Sequence, residues 1–122
     1  MDADTDLDGQ MVRWRHTLHR FPETGFREHR TADFLAQALA LMGLEVHRGL
    51  GGTGLVASLR VGDGPGVVGL RADMDALAMT EAAEGRAHAS RNPGCMHGCG
   101  HDGHTAMLLG AARILTHRRD VD

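Results

Sequence analysis

The residues with the clearest capacity for chemistry lie in one short segment, residues 96–104, with the sequence MHGCGHDGH. This segment holds a thiol, imidazoles and a carboxylate, which are the side chains that bind borderline-soft divalent metals. Its glycines lack Cβ atoms, so the backbone can turn tightly and aim several side chains at one point. Cys99 and His101 are the best pair of ligands, because one intervening residue in an irregular loop lets both converge on one ion. The other polar side chains of the segment are candidates for groups that orient the ligands or cap the following helix: His97, Asp102 and His104.

Two further carboxylates, Asp73 and Asp75, follow a strand predicted over residues 67–72. This strand is apolar on both faces and is therefore expected to be central and buried. In an extended chain the side chains at i and i+2 point to the same side, so both carboxylates can face one cleft. In open α/β sheets the carboxyl ends of the strands are where ligands bind. A simple ion pair between Asp73 and Arg71, without a function, fits the same pattern equally well.

Three other patterns fit known sites less well. Residues 49–54 resemble a phosphate-binding loop, but they lack the lysine of that motif and do not open a helix. No serine lies in the elbow motif of serine hydrolases. Cys95 and Cys99 could form a structural zinc knuckle with His101 and His104. Knuckles usually draw their ligands from two separated segments, and four ligands this close together would crowd the ion.

The composition limits the classes of function. With 122 residues the chain fits one domain, and its net charge of −3 offers no basic surface for nucleic acid. No segment is apolar over the length of a membrane span, and the acidic N-terminus is unlike a signal peptide. The two cysteines lie beside histidines and do not resemble a disulfide framework, so free thiols and a cytoplasmic location are expected.

The elements that must position these residues are predicted from apolar periodicity and from turn residues. Residues 1–8 are expected to be disordered. The predicted elements are a helix ending before Pro22, a helix over 28–42 closed by Gly43, strands over 44–47, 55–60 and 67–72, and a helix over 105–117. The second and third strands are expected to form an antiparallel hairpin, and residues 76–93 are expected to be irregular. The last helix is predicted to bury Met107, Leu108, Ala111 and Leu115.

Four segments of the chain resemble the M20 family of metallopeptidases. They are WRHTLHRFPETGF at 14–26, GGTGL at 51–55, GLRADMDAL at 69–77 and MHGCGHDGHTAML at 96–108. The similarity is greatest to the amidohydrolase branch, which includes hippurate hydrolases, N-acyl-amino-acid amidohydrolases and plant auxin-conjugate hydrolases. The resemblance implies an α/β fold, the N-terminal part of a zinc-peptidase-like catalytic domain with helices packed on a mixed sheet. The lid domain of the family is not expected within residues 1–122.

The resemblance also implies a reaction, the hydrolysis of the amide bond of a small N-acyl-amino-acid substrate by a metal-activated water. The complete site would hold two divalent ions, which the ligand types allow to be Zn, Mn, Co or Ni. Cys99 and His101 match the family's first two metal ligands. Asp75 matches an acidic position that orients a ligand, whereas Asp73 falls where other branches carry a ligating histidine.

The chain departs from the family pattern in three ways. Ala78 stands where proline is usual, Cys95 replaces a residue that is more often basic, and the chain is much shorter than family members. The general-base glutamate and the later ligands would lie beyond Asp122, so residues 1–122 are expected to be inactive alone. A non-catalytic metal-binding remnant, one half of a split enzyme and a homo-oligomer also remain open as interpretations.

Overall fold

A computed structural model describes residues 6–82 and 85–118 of the chain. Its elements, in chain order, are α1 (Leu7–Arg20), α2 (His29–Leu41), β1 (Glu45–Leu50), β2 (Gly54–Ser58) and α3 (His101–Thr116). β1 and β2 pair antiparallel, with Glu45 opposite Ser58. The α/β class is confirmed, although within the described residues the sheet is this antiparallel pair rather than a mixed sheet.

The first two helices agree with the periodicity that predicts them. α1 ends at Arg20, before Pro22, and it begins at Leu7, so residues 7 and 8 are helical rather than disordered. Of the N-terminus expected to be disordered, residues 1–5 lie outside the described residues. α2 is followed by Gly43, whose φ of 90° is the left-handed conformation that glycine adopts without strain. The amide of Gly43 donates to Ala40 and that of Leu44 donates to Leu39, which is the Schellman pattern that ends a helix.

The core lies where α1, α2 and α3 meet. Its buried side chains are Trp14, Leu18, Leu35, Ala106 and Leu109. Burying a leucine side chain contributes about 1.5–3 kcal/mol to the free energy of unfolding. Packing of Ala106 and Leu109 into this cluster therefore stabilises the position of α3. Met107, which was predicted to be buried, is 54% exposed. It lies about 200° around the helix from the buried Thr105, on the opposite side from the core.

Residues 67–72 do not form the central buried strand that the sequence predicts. They belong to no strand, and Val67 and Val68 are 94% and 85% exposed. The hairpin of the structure is β1–β2 rather than a pair of the second and third predicted strands. A run that is apolar on both faces is buried only when other elements cover it, and none of the described elements does so. The segment instead borders an open groove of about 1500 Å³ that also meets β2, α2 and α3.

Two backbone bridges attach the start of the irregular segment after residue 75 to the rest of the molecule. Ala76 forms a parallel bridge with Thr24, and Leu77 forms an antiparallel bridge with Met96. The second bridge has two hydrogen bonds, of 2.9 and 3.0 Å between amide nitrogen and carbonyl oxygen. Asp75 is thereby placed beside the segment that begins at Met96. No helix among residues 6–82 and 85–118 has the length and apolar character needed to cross a membrane.

Candidate metal centre

The glycine-rich segment runs directly into α3. The helix begins at His101, four residues earlier than predicted, so His101 and Asp102 lie in its first turn. Gly100 precedes the helix with a φ of 86°, a left-handed conformation that a side chain would strain. Cys99 therefore stands in the loop just before the helix and His101 stands at its first position. Helix periodicity could not reveal this start, because the polar residues 101–104 carry no apolar pattern.

His101 is held in a defined orientation by Asp75. Its Nδ1–H faces the Oδ1 atom of Asp75 at 2.9 Å and the backbone carbonyl oxygen of Asp75 at 3.0 Å. Because both neighbours of Nδ1 are acceptors, they favour the neutral tautomer with its proton on Nδ1. In this tautomer the free lone pair is on Nε2. Within the described residues no hydrogen bond involves Nε2. In a metal-binding histidine, the ring nitrogen that does not bind the metal commonly donates its hydrogen to a carboxylate.

Cys99 is the second candidate ligand near the start of α3. Its thiol is free and the residue is exposed, whereas Cys95 is free and buried. Burial raises the pKa of Cys95, and the nearby Glu23 raises it further, so this thiol is a poor source of thiolate. Across residues 6–82 and 85–118, no three His, Cys, Asp or Glu side chains are grouped closely enough to hold an ion. The described residues thus do not group Cys95, Cys99, His101 and His104 as a zinc knuckle would require.

The two donors still fit a divalent metal by their chemistry. A thiol and an imidazole with its tautomer set by a carboxylate are ligands that zinc accepts at tetrahedral sites. They supply two positions of such a site, and further donors must come from other residues. The neighbouring groove includes Asp73 and Asp75 in its lining.

His97 and His104 do not orient His101 by hydrogen bonds. His97 is 5% exposed, and neither of its ring nitrogens has a hydrogen-bond partner among the described residues. Burial lowers the pKa of His97, with the attraction of Asp102 opposing in part, so the ring is neutral near pH 7. His104 is exposed, and its ring centroid lies 6.0 Å from that of His101.

Asp102 faces away from His101 and binds α1 instead. Its Oδ2 atom lies 2.8 Å from Nδ1 of His19 and 3.2 Å from Nε of Arg15, and its Oδ1 accepts from the amide of Gly103 at 2.9 Å. Burial by itself would raise the pKa of Asp102, but the hydrogen bonds from His19 and Gly103 outweigh it and lower the pKa. Asp102 is therefore an ionised, buried anchor for the start of α3.

Asp73 forms the simple ion pair that the sequence allows. Its Oδ1 lies 2.7 Å from the guanidinium of Arg71, and both side chains are largely exposed. The backbone carbonyl of Asp73 accepts a hydrogen bond from the hydroxyl of Thr105 at 3.1 Å. The second contact ties the segment that carries Asp75 to α3, although the Asp73 carboxylate itself does not touch the centre.

The sequence motifs give no role to two buried polar residues near the centre, His19 and Glu81, and do not predict the network that they form with Asp102. His19, Glu81 and Asp102 form a nearly solvent-free chain, in which His19 lies between two carboxylates. The spacing of Arg15 and His19, four residues apart on one face of α1, is a signal that could have indicated a shared partner. Glu81 carries no such signal, because it lies alone in an irregular segment.

Known proteins show the same resemblance to the M20 family. Residues 69–122 match the family model described as peptidase family M20/M25/M40. A solved structure from Bacillus subtilis, described as a dinuclear metal binding peptidase from the M20 family, superposes with a TM-score of 0.88 at 33% identity. The match covers 95% of this chain and 32% of that one. In fold and in sequence this chain is thus similar to about one third of an M20 peptidase.

Several of the relatives by sequence are named as amidohydrolases or as hydrolases of amino-acid conjugates. The chain is 49% identical over 117 residues to an N-acyl-L-amino acid amidohydrolase of Geobacillus stearothermophilus, covering 94% of this chain and 31% of the relative. It is 46% identical over 110 residues to a hippurate hydrolase of Campylobacter jejuni, covering 90% of this chain and 28% of the relative. The chain therefore spans about 30% of the length of these relatives. The predicted resemblance to M20 amidohydrolases is confirmed.

Proposed function

We propose that this chain forms part of a metal-dependent amidohydrolase that cleaves the amide bond of N-acyl-amino acids. The single observation that carries the proposal is the contact between Nδ1 of His101 and Asp75, which leaves Nε2 to bind a metal beside Cys99. A divalent ion held there would polarise the amide carbonyl and activate a water molecule. The names of the relatives support the N-acyl-amino-acid substrate class.

The described residues have defined tasks in this proposal. Cys99 and His101 bind the ion. Asp75 fixes the orientation of the His101 ring, so the ring loses less conformational freedom when the metal binds. The backbone of Asp73, bonded to Thr105, keeps the Asp75 segment against α3. We expect residues 1–122 alone to bind metal weakly and to turn over no substrate, because the described residues supply two donors and no third one nearby.

The test uses the protein as its gene encodes it, supplied in turn with Zn²⁺, Mn²⁺, Co²⁺ or Ni²⁺. Release of free amino acid from N-acetyl- and N-benzoyl-amino acids is measured together with the metal content of the purified protein. Cys99→Ala is expected to abolish both hydrolysis and stoichiometric metal. The matched control is Cys95→Ala, at a buried thiol four residues earlier, which is expected to retain both.

Two results would contradict the proposal. One is metal-dependent hydrolysis that persists at the wild-type level in Cys99→Ala. The other is a complete, correctly folded protein that releases no amino acid from any N-acyl substrate with any of the four metals.

A further inference from the structure

A buried chain of ionisable side chains joins α1 to the first turn of α3. Nδ1 of His19 lies 2.8 Å from Oδ2 of Asp102, and Nε2 of His19 lies 2.9 Å from Oε1 of Glu81. The three side chains are only 2–3% exposed. Ionisable groups are rarely buried this completely unless they are paired, so the arrangement needs a specific reason.

The hydrogen bonds determine the charge of this chain. Burial would raise the pKa of Glu81, but the amide of Ser90 and the side chains of His19 and Arg86 outweigh it and lower the pKa. The pKa of Asp102 is lowered as well, so both carboxylates are ionised and can only accept. Each ring nitrogen of His19 therefore faces an oxygen of an ionised carboxylate.

The remaining atoms of the chain are also bonded. The Oε2 atom of Glu81 lies 2.7 Å from Arg86, and its Oε1 accepts from the amide of Ser90 at 3.1 Å. At the other end Arg15 and the amide of Gly103 bind Asp102. A buried polar network in which every member is bonded is rigid and specifies one arrangement.

The network also restricts the position of His101, the candidate metal ligand next to Asp102. Asp102 directly follows His101 in the first turn of α3. His19 of α1 therefore holds this turn through Asp102, while Asp75 holds it through His101. Thr105, one turn further on, is bonded to the carbonyl of Asp73. With these contacts in place, α3 cannot rotate about its axis without breaking a buried bond, and the direction of the His101 ring is set.

We propose that His19 is a positioning residue for the metal centre, acting through Asp102 to fix the first turn of α3. The inference rests on the proposed function, since it concerns the geometry of the ligands named there. His19 touches neither ligand, so its effect is on how well the apoprotein is arranged to receive the ion. A purely structural role would lower stability without changing the affinity of the folded protein for metal.

The experiment uses Co²⁺ as the probe and the chain as its gene encodes it. Cobalt affinity is read from the thiolate-to-cobalt charge-transfer absorption, and the thermal unfolding of each metal-free variant is recorded. In His19→Asn the amide nitrogen can occupy the place of Nδ1 and keep the bond to Asp102. In His19→Gln the amide reaches the place of Nε2, so it can bond Glu81 but not Asp102. His47→Gln, an exposed histidine of β1, is the control substitution.

The affinities should separate the two variants. His19→Gln is expected to bind cobalt about tenfold more weakly, in line with the effect of removing an orienting partner of a ligand. His19→Asn keeps the bond to Asp102 and is therefore expected to retain most of the wild-type affinity for cobalt. It loses the bond to Glu81 and is expected to be less stable to heat than wild type. His47→Gln is expected to match wild type in both measurements.

The outcomes distinguish this inference from the proposed function. Equal cobalt affinity in wild type and His19→Gln overturns the positioning role, while a charge-transfer band that depends on Cys99 still supports the metal centre. Absence of any Cys99-dependent band in wild type contradicts the proposed function and this inference with it. If His19→Gln does not fold, Arg15→Gln takes its place, because Arg15 binds the same oxygen of Asp102 from a 43% exposed position. Unchanged cobalt affinity in Arg15→Gln would then refute the inference.

Discussion

Replacing Asp75 by alanine should weaken metal binding by a limited and predictable amount. Loss of a carboxylate that orients a metal-binding histidine generally reduces affinity about 10- to 100-fold. Two features of the structure place Asp75→Ala at the lower end of that range. The backbone carbonyl of residue 75 lies 3.0 Å from Nδ1 of His101 and survives the substitution. The Asp75 side chain is 40% exposed, so solvent screens its charge.

The expected loss is therefore about tenfold, or about 1.4 kcal/mol of binding free energy. It can be measured by titrating Zn²⁺ into the protein in competition with a chromophoric chelator. Asp73→Asn is the matched control, because it removes a neighbouring carboxylate charge that pairs with Arg71 and does not touch His101. The reasoning is refuted if Asp75→Ala binds zinc as tightly as wild type, or if Asp73→Asn weakens binding to the same extent.

Three further predictions concern stability, each measured by denaturant or thermal unfolding. Gly100→Ala should destabilise the protein by about 1–2 kcal/mol, because residue 100 has a left-handed backbone conformation. Gly103→Ala, which has open space around it within the helix, should stabilise the protein by about 0.5–1 kcal/mol. Equal effects of the two substitutions on stability would contradict this pair of predictions. Leu109→Ala, at a 2% exposed core position, should cost about 2–5 kcal/mol, and the exposed Met107→Ala should cost less than about 0.5 kcal/mol. Because the pKa of Glu81 is lower in the folded protein, its contribution is complete above the unfolded value of about 4.3 and is lost as the pH falls through the folded pKa. Glu81→Gln should flatten the pH dependence of stability in that acidic range, and an unaltered slope would argue against the contribution.

The sequence alone was sufficient for the local features of this protein. The spacing of Trp14 and Leu18 predicted α1, and Gly43 predicted the end of α2, because helix faces and helix ends depend on residues a few positions apart. The choice of Cys99 and His101 as the ligand pair, still a prediction, depends on the chemistry of adjacent side chains. The resemblance to the M20 family depended on motifs that are equally short.

The tertiary structure decided which distant residues stand behind that pair. Asp75 meets His101 across 26 positions of the chain, and Asp102 meets His19 across 83. The sequence indicated Asp102 as a partner of the ligands, although its carboxylate belongs to a network that reaches Glu81. It also indicated residues 67–72 as a buried strand, whereas they are exposed. Such contacts depend on the path of the whole chain, because burial and pairing arise only where separate segments come together. Residue types reveal which groups could bind a metal, and the fold determines which of them are held in place to do so.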